Sequence, residues 1–243
     1  MSNIFNLDAP IWVFMGEVAD IIILALLWWI CSLGIITIGA STTALYYVIG
    51  KKIRKEQTYV AKDFFKSFKQ NFRQSVPLTV LTLIAFVSLG LYVSFIFVNN
   101  TNASASYLRI IIPVTILFAF EVLNFNTYIW AVLSRFDVPT GALIRTTFIL
   151  IHKHLLTTLC NLGVIAVVCI GVLQFPIIIT VAPGAIVWGQ SFMLQSVFSK
   201  YITAANETEK EEQLDEVSVE ETIASESVLQ DQQEQIQNQT EEK

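Results

Sequence analysis

One acidic residue stands inside a long apolar stretch and is the first candidate for chemistry. Glu121 lies in FAFEVLNFNTYIW, and Asn124 follows three residues later, so both side chains share one face of a helix. An ionisable group at membrane depth is a candidate proton or ligand site. The alternative is a structural hydrogen bond between helices, which contributes about 0.6–2 kcal/mol. We prefer the structural interpretation, because the apolar stretches contain no second acid or base to relay a proton.

The second candidate is the basic segment 57–75, QTYVAKDFFKSFKQNFRQS. Its phenylalanines and its cations recur every three or four residues on separate faces of a helix. This pattern predicts an amphipathic helix at the cytoplasmic membrane surface, with buried phenylalanines and with cations facing anionic head groups. A docking surface for a cytoplasmic partner is the alternative. The candidate surface consists of Lys62, Phe64, Phe65, Lys66, Phe68, Lys69, Phe72 and Arg73.

The remaining reactive residue types form no recognisable site in the sequence. The three cysteines lie in apolar stretches without CxxC or Cys/His spacing, which is typical of small buried side chains. His152 and His154 are two residues apart and therefore point to different faces of a helix. No HExxH, GxSxG, P-loop or GxGxxG motif is present. The sequence predicts no metal site, no cofactor and no enzymatic activity.

Long uncharged stretches determine the fold class. Of the 243 residues, 54% are hydrophobic and 14% are charged, against about 25% charged residues in ordinary soluble domains. A helix needs about 20 apolar residues to cross the hydrocarbon of a bilayer. We therefore predict an all-α, polytopic membrane helical bundle. Its membrane domain covers 1–205, with five transmembrane helices at about 20–45, 76–98, 107–133, 154–179 and 184–202. Pro77 falls in the first turn of the second helix, and a loop follows the third. The last two helices divide near Pro183, with Pro176 as the alternative.

The positive charges predict the orientation of these spans. With the N-terminus outside, 14 of the 15 Lys and Arg residues are cytoplasmic, and only Arg109 lies on the other side. This orientation places the 51–75 segment and the C-terminus in the cytoplasm. It places Glu17 and Asp20 at the outer end of the first span. Residues 206–243 are acidic and lack aromatic side chains, so we predict a disordered cytoplasmic tail.

Residues 28–75 resemble the signature region of the YesL family of small bacterial membrane proteins. The similar parts are IITIGASTTAL at 35–45, KKIRKE at 51–56 and DFFKSFKQNF at 63–72. The family pattern has a proline near Gly34 and often an asparagine near the preceding alanine, Ala25, and this chain differs at both.

The resemblance implies a multi-pass protein of the bacterial plasma membrane without an established catalytic activity. Genes of the family often lie beside carbohydrate-uptake systems, which implies an accessory role in sugar import. We therefore expect a non-catalytic accessory or scaffold protein. Its expected partners are the lipid bilayer and a sugar-transporter complex, not nucleic acid. The alternative is a small permease-like subunit with a polar path lined by Glu121, Asn124, Thr127, Asn161 and Gln174.

Overall fold

The chain folds into α-helices joined by short connections. The structure is a computed structural model that describes residues 10–99, 105–136 and 138–203. Within these ranges no residue belongs to a strand, so the predicted all-α class is confirmed. The predicted acidic tail at 206–243 lies outside the described residues. In chain order the helices are α1 (Pro10–Cys31), α2 (Ile38–Ile53), α3 (Val60–Asn99), α4 (Ala105–Arg135), α5 (Thr140–Lys153), α6 (Leu155–Gln174) and α7 (182–203), with short 3-10 helices at Ile35–Thr37 and Pro176–Thr180.

The chain divides into two units within α7. Residues up to Gln195 form one packed unit, and the described part of the second unit is the last two turns of α7, at 196–203. The contacts described below all belong to the first unit.

The predicted first span is a helical hairpin rather than one helix. Gly34 has an extended backbone (φ −84°, ψ 117°), which stops the helix between α1 and α2. Thr37 closes the turn by donating its hydroxyl hydrogen to the Cys31 carbonyl at 2.6 Å. The Trp28 indole donates to Thr42 Oγ1 at 3.0 Å. Because residues before and after the turn meet in this way, α1 and α2 run antiparallel.

Ion pairs connect α1 with α2 at the open end of this hairpin. Lys52 Nζ lies 3.0 Å from Glu17 Oε2 and also pairs with Asp20. A single crossing between residues 20 and 45 would place about 30 Å of hydrocarbon between these groups. Instead, the hairpin returns the chain to the side where α1 begins. The opposite charges explain this arrangement, because each carboxylate gains a partner at the end of α2.

Helix α3 joins two elements that the sequence predicts as separate. The predicted surface helix at 57–75 and the predicted span at 76–98 form one helix of 40 residues, which is about 60 Å long. Pro77 therefore lies inside the helix and not in its first turn. Since about 20 residues suffice to cross the hydrocarbon, roughly half of α3 extends beyond it.

Helix α5 replaces a predicted loop after the third span. Its buried residues, Leu143, Thr147, Leu150 and Ile151, recur every three or four positions and face the bundle. The rings of Phe125 on α4 and Phe148 on α5 lie 5.2 Å apart. The charge of Arg145 and Lys153 made this segment look like a loop, although the helical period is present in the sequence.

Within the described part of the chain, three helices are long and apolar enough to cross a membrane, at Val60–Ile96, Arg109–Arg135 and Leu155–Gln174. Their apolar side chains are widely exposed, including Leu91 at 68%, Ile110 at 70% and Leu156 at 78%. Such a surface is unfavourable in water and suits a lipid environment. The break after α6 lies at 175–181, so it coincides with the alternative division at Pro176 and not with the preferred one near Pro183. That proline lies instead in the first turn of α7, where its missing N–H is tolerated.

Candidate functional site

One face of the first part of α3 packs onto α2. Phe64 is fully buried, and Asp63 and Ser67 are buried beside it. The Lys51 ammonium lies 2.9 Å from Asp63 Oδ2. This hydrogen bond raises the pKa of Lys51, so the lysine remains charged at neutral pH. The Asp63 carboxylate also accepts from the Tyr59 backbone N–H at 3.1 Å, just before the start of α3. These contacts fix the rotation of α3 about its axis.

The opposite face of the same part of α3 carries the predicted cations. Lys62, Lys66, Lys69 and Arg73 are all exposed. The phenylalanines are not uniformly buried as predicted. Phe68 is half-buried, whereas Phe65 is 50% exposed and Phe72 is 39% exposed. We name the exposed part of this helix the α3 basic face; its members are Lys62, Phe65, Lys66, Lys69, Phe72 and Arg73.

Three basic residues at the end of α2, Lys51, Lys52 and Arg54, differ from the α3 basic face because they are neutralised within the chain. Lys51 and Lys52 pair with acidic side chains of α3 and α1. Arg54 Nε lies 2.5 Å from Glu56 Oε1, and this hydrogen bond lowers the pKa of the Glu56 carboxyl. In the described ranges no carboxylate forms an ion pair with a cation of the α3 basic face. The positive charge of the α3 basic face is therefore presented outward.

Glu121 and Asn124 do not form a common site. Glu121 Oε1 lies 3.3 Å from His152 Nε2 on α5, while its second oxygen is buried without a hydrogen-bond partner. The histidine ring is 61% exposed, which places this pair at the surface of the bundle. Asn124 is buried and donates to the Phe120 carbonyl at 2.7 Å, one turn back in its own helix. The two residues thus make separate structural contacts.

A cavity of about 440 Å³ lies between the helices of the first unit. Three tryptophans, Trp28, Trp29 and Trp130, contribute to its wall. The same wall contains polar side chains without a formal charge: Thr42, Tyr46, Thr79, Thr82, Asn126, Thr127 and Gln190. The two 3-10 helices border it through Ile35 and Ile179. We name this space the tryptophan cavity.

Hydrogen bonds hold the polar groups of the tryptophan cavity in place. The Tyr46 hydroxyl donates to Gln190 Oε1 at 2.5 Å, and the Trp130 indole donates to Asn126 Oδ1 at 3.0 Å. The Trp29 indole donates to the Thr180 carbonyl at 3.2 Å, which ties α1 to the connection before α7. The cavity therefore combines flat apolar surfaces with fixed, uncharged hydrogen-bonding groups, a combination typical of small-molecule sites.

Only one residue of the predicted polar path lines this cavity, namely Thr127. Asn161 is buried elsewhere, and Gln174 is exposed at the end of α6. Gln190 has little signal in the sequence, where it is an uncharged amide within an apolar stretch. Asn126 lies five residues after Glu121, on another face of α4, and lines the cavity. Among the described residues, no group of His, Cys, Asp or Glu side chains could hold a metal ion.

Comparison with known proteins gives a family match for part of the chain. Residues 21–95 match the family described as protein of unknown function DUF624. The matched segment begins in α1, contains all of α2 and ends in α3, so it covers the hairpin, the Lys51–Asp63 contact and the α3 basic face. No curated protein matches the chain significantly. No solved structure does so either.

Proposed function

We propose that the protein is a non-catalytic membrane accessory protein that docks a cytoplasmic partner on the α3 basic face. The observation that carries this proposal is the division of α3 into two faces. Asp63, Phe64 and Ser67 anchor one face on α2. The other face presents cations that form no ion pair with a carboxylate of the described residues, together with Phe65 and Phe72. Aromatic side chains are enriched at protein interfaces, and the surrounding cations favour a partner surface of opposite charge.

The continuity of α3 favours a protein partner over lipid alone. A helix that binds only the membrane surface lies in the interfacial plane. The α3 basic face instead belongs to the same unbroken helix as a candidate span. From Lys62 to Arg73 it extends about 16 Å along the helix axis, at 1.5 Å per residue. We infer that it projects from the head groups into the cytoplasm, where it suits an acidic partner surface.

The proposed topology places both termini in the cytoplasm. The pairing of Lys52 with Glu17 and Asp20 supports a hairpin of α1 and α2 that enters and leaves on one side. Helices α3, α4, α6 and α7 then cross the membrane. Under this arrangement Arg109 remains outside and the other 14 Lys and Arg residues remain cytoplasmic, as the positive-inside rule favours.

The link to carbohydrate uptake rests on the resemblance to the YesL family over residues 28–75. The partner would then be a sugar-transporter complex of the bacterial plasma membrane. The permease-like alternative has less support, since Glu121 and Asn124 do not meet at the cavity. We therefore propose a docking role and not transport through this chain.

Affinity purification of the tagged full-length protein from native membranes tests the docking role. We expect a transporter subunit to co-purify with the wild-type protein. The double variant Lys66→Glu, Lys69→Glu should reduce its recovery about tenfold, which corresponds to about 1.4 kcal/mol. Arg145→Glu is the control, because Arg145 is also an exposed cation but lies on α5. Unchanged recovery with the double variant, or equal loss with the control, would contradict the proposal.

A further inference from the structure

A buried amide in the wall of the tryptophan cavity has an unused donor. Gln190 is 1% exposed, and its Oε1 accepts the Tyr46 hydroxyl hydrogen at 2.5 Å. Its Nε2 is buried and has no hydrogen-bond partner among the residues that the structure describes. A buried donor without a partner costs free energy, so native structures usually satisfy it with protein or with a bound molecule. An oxygen atom placed in the cavity would accept this hydrogen bond.

We propose that the tryptophan cavity binds an uncharged lipid, with a hydroxyl or ester oxygen accepting from Gln190 Nε2 and an acyl chain against the tryptophans. The volume of about 440 Å³ lies in the range of small-molecule sites. Every residue lining the cavity is uncharged, so a charged head group would enter without a compensating partner. The flat sides of Trp28, Trp29 and Trp130 suit a hydrocarbon chain.

The position of the exposed lining residues indicates that the ligand enters from lipid. Ile35 is 60% exposed, Leu83 is 45% exposed and Ile179 is 49% exposed. These residues belong to the two 3-10 helices and to the span portion of α3. Because the exposed rim is apolar, a molecule already dissolved in the hydrocarbon reaches it more readily than a sugar from water. This inference is independent of the docking role of the α3 basic face.

Saturable binding of dioleoylglycerol to the purified full-length protein tests the proposal. Native mass spectrometry measures the bound fraction in detergent. Leu83→Trp fills the rim and should weaken binding at least tenfold. Leu81→Trp is the matched control, because Leu81 is a similarly exposed leucine of α3 (42%) that does not line the cavity. Gln190→Leu removes the donor and should weaken binding severalfold.

Two competitors distinguish the ligand chemistry. Dioleoylphosphatidylglycerol has the same acyl chains and an anionic head group, and it should not displace dioleoylglycerol. A soluble oligosaccharide such as maltotriose should not displace it either. Absence of saturable binding to the wild-type protein, equal binding by the two tryptophan variants, or displacement by either competitor would overturn the proposal. If Gln190→Leu fails to fold, the comparison of Leu83→Trp with Leu81→Trp still decides the question.

Discussion

Replacement of Gly39 by alanine should destabilise the protein, because the added methyl group would overlap with packed side chains. Gly39 lies on the face of α2 that packs against α3 and α4. A Cβ atom at this position would lie 2.7 Å from Trp130 Cζ3 and closer still to Thr79 Oγ1. Both neighbours are buried, since Trp130 is 2% exposed and Thr79 is 5% exposed. The methyl group therefore has no free space, and the packed side chains must move.

Overpacking of this kind typically costs about 1–3 kcal/mol. For a chain of 150–250 residues, each kcal/mol lowers the melting temperature by about 2–4 °C. The expected decrease for Gly39→Ala is therefore about 2–12 °C. Since Trp130 also lines the tryptophan cavity, the same displacement should change the environment of its indole.

Thermal unfolding of the purified protein in detergent, followed by circular dichroism, measures this effect. Gly90→Ala is the control, because nothing lies within 4 Å of a Cβ built at Gly90 in α3. In a helix interior alanine is favoured over glycine by about 1 kcal/mol, so this variant should be as stable as the wild type or slightly more stable. A Gly39→Ala protein that melts at or above the wild-type temperature would refute the close approach of α2, α3 and α4.

Three further substitutions test other contacts. Phe64→Ala should cost about 3–5 kcal/mol of stability, because Phe64 is fully buried. Phe65→Ala should change the stability by no more than about 0.5 kcal/mol. Similar losses of stability for the two variants in thermal unfolding would show that the two faces of α3 are wrongly assigned. Cysteines replacing Asp20 and Lys52 in a cysteine-free background should be joined by a short bifunctional maleimide; two reactive but unjoined cysteines would contradict the hairpin. Glu121→Gln should preserve the melting temperature, whereas Glu121→Leu should lower it. The reason is that a lost interhelical polar contact costs about 0.6–2 kcal/mol. Equal melting temperatures for the two variants would show that the contact with His152 is not stabilising.

The helical class and the amphipathic character of α3 could be read from the sequence because both depend on local periodicity. The burial of Phe64 and the exposure of Lys62, Lys66 and Lys69 follow directly from that period. The exposure of Phe72 was missed because a spacing of four residues exceeds the roughly 3.6 residues of a helical turn. Phe72 therefore lies about 80° around the helix axis from the buried Phe64.

The hairpin of α1 and α2 was missed because hydropathy does not record chain reversal. The stretch from Ile21 to Gly50 is uncharged throughout, and it satisfies the length criterion for one span. The turn at Gly34 and the pairing of Lys52 with Asp20 involve contacts between distant residues. The tryptophan cavity also depends on contacts between residues that are distant in sequence. Gln190 meets Tyr46 across 144 positions of sequence, and no local pattern predicts that distance.

The pairing of Lys52 with Asp20 cannot form until both residues have been synthesised. The two residues are separated by 32 positions, and ribosomes add roughly 5–20 residues per second. Asp20 is therefore made about 2–6 s before its partner. During this interval α1 carries two unneutralised carboxylates, which oppose its stable insertion into hydrocarbon. Under the proposed topology, integration of α1 should thus wait for the end of α2, so that the hairpin enters the bilayer as a pair.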